Sequence, residues 1–84
     1  MDLSNIGNKG EKIGSYIDKN GDNINIRKDS IGIFYEKDGF YHRIDGPADI
    51  PKTGLSQWWY KGIHIVDCDN QKDFDRLIKL ILFM

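Results

Sequence analysis

The chain changes its hydrophobic period once. From Lys12 to Asp67 apolar and polar residues alternate in short runs bounded by Gly, Asn or Asp; beyond Asn70 the apolar residues recur every three or four positions. Alternation places side chains on the two faces of a strand, and turn residues between runs supply the backbone conformations that tight hairpins need. The first part reads as an antiparallel β-meander of about three hairpins and the second as one C-terminal amphipathic helix packed on it, an α+β fold.

Lys19-Asn20-Gly21-Asp22 separates the run 13–17 from Ile24 and Ile26, with positive φ expected at Asn20 and Gly21. Asp38-Gly39 separates Ile31, Ile33 and Tyr35 from Phe40, His42 and Ile44. Asp45-Gly46-Pro47 forces a structural turn, since Pro47 fixes its own φ and cannot donate to a ladder. A brief strand over 48–50 follows, then the turn Pro51-Lys52-Thr53-Gly54. The aromatic run 55–60 pairs through Lys61-Gly62 with Ile63, Ile65 and Val66.

Phe74, Leu77, Ile78, Ile81 and Leu82 form one helical stripe opposite Lys72, Asp75, Arg76 and Lys79. Asp69 or Asn70 caps its start, and the helix is expected to bury all five apolar side chains across the sheet. Phe83 falls on the charged side, as a frayed end or as a homodimer contact through the helix.

At 84 residues, 39% hydrophobic and 30% charged, the chain suits a single folded domain over 1–84, with an arm over 1–11, the meander over 12–67 and the helix over 70–84. Lys plus Arg number 12 against 13 Asp plus Glu, so the general electrostatic case for nucleic acid is weak, although Lys9, Lys12, Arg27 and Lys28 could converge. The sole cysteine, Cys68, precludes an internal disulfide and reads as a half-buried structural residue in a reducing compartment. The start of the chain has neither a basic segment nor an apolar run, and the apolar tail 80–84 is too short to span a bilayer; a cytoplasmic location and no membrane contact are expected.

His42, Arg43 and Asp45 attract attention as chemistry, but alternation separates His42 from the other two, and no nucleophile or phosphate loop accompanies them. No enzymatic activity, catalytic residue or cofactor is expected. Arg43 and Asp45, two apart on one face, are instead expected to lock the corner before Pro47. His42, His64 and Asp67 would hold zinc only if the fold brought them together, and no metal is expected. If Trp59 joins Leu55 in the core, Trp58 and Tyr60 stand on the other face. There they are either covered by loops and the arm or form an exposed patch with Phe34 or Tyr41. The candidate binding residues are Tyr41, Arg43, Trp58 and Tyr60.

The segment Tyr41-His42-Arg43-Ile44-Asp45-Gly46-Pro47-Ala48, followed by Trp58-Trp59-Tyr60-Lys61-Gly62 and His64, resembles a repeat of short bacteriophage proteins that is loosely similar to MORN hairpins. The resemblance covers roughly 31–65; after Gly62 the pattern departs, because Ile65-Val66-Asp67 replaces a second Arg-x-Asp-Gly-Pro-Ala. It implies a phage origin and a non-enzymatic accessory role in the host cytoplasm. The implied partner is a host protein, such as a defence or toxin component; a nucleic acid on the same face and a structural role are the alternatives. It supplies no catalytic residues.

Overall fold

A computed structural model describes residues 10–82. In chain order these form β1 (Glu11–Ile17), β2 (Asn23–Lys28), β3 (Gly32–Lys37), β4 (Phe40–Tyr41), β5 (Asp49–Pro51), β6 (Trp58–Tyr60), β7 (Ile63–Ile65) and the helix α1 (Gln71–Leu82). The protein is α+β, an antiparallel meander followed by a helix, as the change of period predicts.

Local chemistry fixes each turn. Between β1 and β2, Asp18 Oδ1 accepts from the amides of Asn20 (2.9 Å) and Asp22 (3.0 Å). With the side chain holding the loop, positive φ falls at Gly21 and not at Asn20. The β3–β4 and β6–β7 hairpins each have two left-handed central residues, Asp38 (φ 52°) with Gly39 (φ 85°) and Lys61 (φ 49°) with Gly62 (φ 83°). That is the conformation whose twist matches the flanking strands.

The meander divides into two sheets, β1-β2-β3-β4 with β5 also on β3, and β6-β7. Tyr35 marks the division: its amide donates to Ala48 O (2.7 Å) and its carbonyl accepts from His42 N (3.1 Å), so β4 leaves β3 and β5 arrives on either side of it. The excursion between them carries the second sheet. Arg43 N donates to Trp59 O (3.3 Å), Ala48 N to Gln57 O (2.9 Å) and Gln57 N to Asp49 O (2.8 Å), which ties the 43–49 segment to β6 and the residue before it.

The core lies around the smaller sheet. Ile44, Trp58, Tyr60, Ile65, Cys68 and Phe74 are buried together, with Leu77, Ile78 and Ile81 packed against them. α1 therefore sits on the β6–β7 hairpin and Ile44 rather than across the larger sheet. The expected five-residue stripe loses Leu82, which is 62% exposed. Asn70 is the cap: its Oδ1 accepts from Asp73 N (2.9 Å) and its Nδ2 donates to Asp73 Oδ2 (3.3 Å). Gln71 Nε2 donates to Ile44 O (2.7 Å) and fixes the helix start on the excursion. Phe83, and most of the arm expected over 1–11, lie outside the described residues. Among the described residues no helix is long and apolar enough to cross a membrane.

Candidate binding face

The aromatic run of β6 has the opposite parity to the one expected from Leu55. Leu55 is 88% exposed and draws nothing inward, whereas Phe74 and Ile44 do. Trp58 packs against Phe74 with ring centroids 5.0 Å apart, and both Trp58 and Tyr60 are buried. The expected exposed patch of Trp58 and Tyr60 is thereby overturned: the helix covers the face that they share. Alternation then sends Trp59 to the other side.

There a row of rings crosses from the larger sheet to the smaller. Phe34 meets Tyr41 edge-on at 5.5 Å, Tyr41 meets Trp59 at 5.0 Å, and Trp59 stacks on His64 at 4.6 Å with an interplanar angle of 13°. The register explains it: Phe34 and Glu36 share a face of β3, Glu36 lies opposite Tyr41, and Trp59 lies opposite His64. Exposure grows along the row, from buried Phe34 through half-buried Tyr41 and Trp59 to exposed His64. The indole Nε1 of Trp59 is buried and has no acceptor among the described residues. Arg27 lies opposite Phe34 and Lys12 opposite Arg27, a basic margin at the buried end. Of the candidate binding residues, Tyr41 alone belongs to this row; the expectation had no means of setting the parity of β6, which selects Trp59.

Arg43 is engaged within the excursion and not on that face. Its Nε donates to Asp45 Oδ1 (2.9 Å), its Nη1 donates to Pro47 O (3.1 Å), and its guanidinium carbon lies 3.9 Å from the centroid of Tyr35. A Cβ on Gly46 would stand 2.7 Å from that carbon, so glycine is required for the guanidinium to lie against the turn. Asp45, Gly46 and Pro47 thus form the locked corner that the i, i+2 spacing predicts. Tyr16 OH donates to Asp45 Oδ1 (3.3 Å), and burial followed by the Asp45 charge pushes this hydroxyl up to about 12. Burial opposes ionisation of Asp45, yet the Arg43 hydrogen bond and charge hold its carboxyl below the usual range. Arg43→Ala is expected to cost about 1–3 kcal/mol in urea unfolding, since it removes the side-chain donor to the Pro47 carbonyl and leaves the Asp45 carboxylate with the longer Tyr16 bond. Asp45→Asn, at the mostly exposed end of the pair, should cost less than about 1 kcal/mol.

His42 is 1% exposed and lies with Asp18 and Asp22, their donor atoms within 4.8 Å of one another. His42 Nδ1 accepts from the backbone amide of Lys61 (2.9 Å). A backbone amide only donates, so the neutral ring carries its hydrogen on Nε2. A metal ion on Nε2 would need that lone pair and would leave Nδ1–H facing another N–H. The three residues do not fit a cation as they stand. Nor do His42, His64 and Asp67 come together among the described residues: His64 is stacked on Trp59, and both it and Asp67 are exposed. His42 is likewise not set up for acid–base work with Asp45, whose carboxylate is bound by Arg43.

The two buried acids were not singled out in the sequence. Asp18 holds the first loop; Glu36 accepts from Asn25 Nδ2 and from Gly39 N (3.1 Å), steadying the second turn. A carboxylate two or three residues before a Gly turn is the signal that points to them. Cys68 is buried, burial pushes its thiol up, and Sγ contacts Asn70 O (3.4 Å), so it is a structural residue. No protein-family model, curated protein or solved structure matches the chain.

Proposed function

We propose that this chain is a non-enzymatic phage accessory protein that acts in the host cytoplasm by binding and inhibiting a host protein through the Tyr41–Trp59–His64 face. The observation that carries the reading is the graded ring row, whose outer end is solvent-exposed. Large aromatic surfaces are the usual anchors of protein interfaces. The phage origin and inhibitory role rest on the repeat-like segment 41–48 with 58–64.

Capture from bacterial lysate with tagged wild-type and Trp59→Ala chains tests this. Trp59→Ala is expected to weaken capture at least about tenfold, as for an interface hot spot. It should cost no more than about 2 kcal/mol of stability, since the ring is only half-buried. Equal capture by both chains removes the face from the reading. The basic margin of Lys12 and Arg27 supports a second reading, single-stranded nucleic acid stacked on the same rings. Capture that vanishes after nuclease treatment selects it.

A further inference from the structure

We propose that His42 is an acid-opened latch between the two sheets, which in its neutral form ties the β6–β7 turn to the segment leaving β4 and on protonation releases the turn beside Trp59. Two facts carry this. Lys61 N–H donates to Nδ1 (2.9 Å), and the opposite ring nitrogen, Nε2, is buried with no hydrogen-bond partner among the described residues. A buried ring that accepts a backbone N–H links two chain segments without needing a charge.

The imidazolium cannot keep this arrangement. Protonation places a hydrogen on Nδ1, directly opposite the Lys61 amide, and two donors do not share a 2.9 Å contact. The turn must retreat for the proton to enter. The groups facing the ring are Asp18 and Asp22 from the first loop, Lys37 from β3, Lys61 from the β6–β7 turn and the Tyr60 ring from β6 (5.1 Å). The two acids favour the cation, but Asp22 is already bound to Lys37 Nζ (2.9 Å). Burial is the largest influence and holds the ring below its ordinary range. The same turn donates Gly62 N to Tyr41 O (2.9 Å), so its retreat loosens the Tyr41–Trp59 row; only this last consequence rests on the proposed contact face.

The pH dependence has a definite sign. The folded chain binds the proton less readily than the unfolded one, whose histidines titrate near about 6.5. The latch contribution is therefore complete above that value and is lost as pH falls toward the folded pKa, the unfolding constant rising by up to about tenfold per pH unit. Asp22 and Asp45 are held below the usual carboxylate range, so their losses come at lower pH.

Nitrogen NMR of the full chain is expected to show His42 as the Nε2–H tautomer at neutral pH and titrating below the ordinary value of about 6.5. Urea unfolding should show stability falling as the pH drops below about 6.5, with the slope absent in His42→Asn, which keeps an acceptor without titrating. Equimolar Zn²⁺ should leave the melting temperature unchanged. An Nδ1–H tautomer, an unchanged slope in His42→Asn, or zinc stabilisation that His42→Asn abolishes would each overturn the latch. None of these readouts needs a partner, so the latch and the contact face fail separately: the ring measurements judge the first and Trp59→Ala capture judges the second.

Discussion

Phe74→Ala should leave the chain largely unfolded, or at best folded with a melting temperature lower by about 15–30 °C. Phe74 is 0% exposed and packs against Trp58 at the centre of the buried cluster that joins the helix to the smaller sheet. Truncating a buried Phe costs about 3–5 kcal/mol, a large share of the roughly 5–15 kcal/mol that holds a domain together. The 12-residue α1 cannot stand alone in water, where isolated helices shorter than about 12–15 residues are marginal. Undocking it exposes Trp58, Tyr60 and Ile65, and a two-stranded hairpin does not persist uncovered. Far-UV circular dichroism through a thermal ramp reads this directly. Phe74→Leu, which retains most of the volume, should lose much less. A Phe74→Ala chain within about 1 kcal/mol of the parent would mean that the helix is not docked where Phe74 places it.

That dependence on one contact explains what the sequence could and could not reveal. The change of period at Asn70, the Asp38-Gly39 and Lys61-Gly62 turns and the Arg43–Asp45 lock are local patterns, and local physics decides them. The parity of β6 is not local. Trp58-Trp59-Tyr60 is apolar at every position, so alternation says that one pair opposes the single ring but not which of them faces the helix. Phe74, some 16 residues away, makes the choice, and with it moves the candidate face from Trp58 and Tyr60 to Trp59. The same holds for Arg43: its pairing with Asp45 was legible from spacing, but the Pro47 carbonyl and Tyr35 ring that complete its surroundings depend on the excursion folding back. His42 stands out in the sequence for its chemistry, while its partner Lys61 and its neighbour Asp18 lie in turns that only the joined sheets bring together. Long-range contacts thus choose among alternatives that short-range patterns leave equal.

Gly32→Ala should cost about 3 kcal/mol in chemical denaturation, although adding a methyl group to a glycine at ordinary φ usually helps by restricting the unfolded chain. At Gly32 the new Cβ would strike Ile50 O and lie 2.6 Å from Pro51 Cα. Both are backbone atoms of β5, which pairs with β3 through Gly32 opposite Pro51, so neither can swing aside as a flexible side chain would. The strain can be relieved only by moving β5 away, and β5 is where the two sheets meet: Asp49 bridges to Gln57, and Ala48 N donates to Gln57 O (2.9 Å). Amide exchange should therefore quicken at Lys52, whose N–H donates to Ile31 O (2.7 Å), and at Gln57, whose N–H donates to Asp49 O, while the β1–β2 ladder keeps its protection. Gly14→Ala is the control, because its nearest neighbour is the end of the Ile26 side chain at 3.9 Å and it should fall within about 0.5 kcal/mol of the parent. If Gly32→Ala proved as harmless as Gly14→Ala, β5 would not lie against β3 in the register that carries the 42–48 excursion. The position of the Tyr41–Trp59 row, which depends on that excursion, would then be wrong as well.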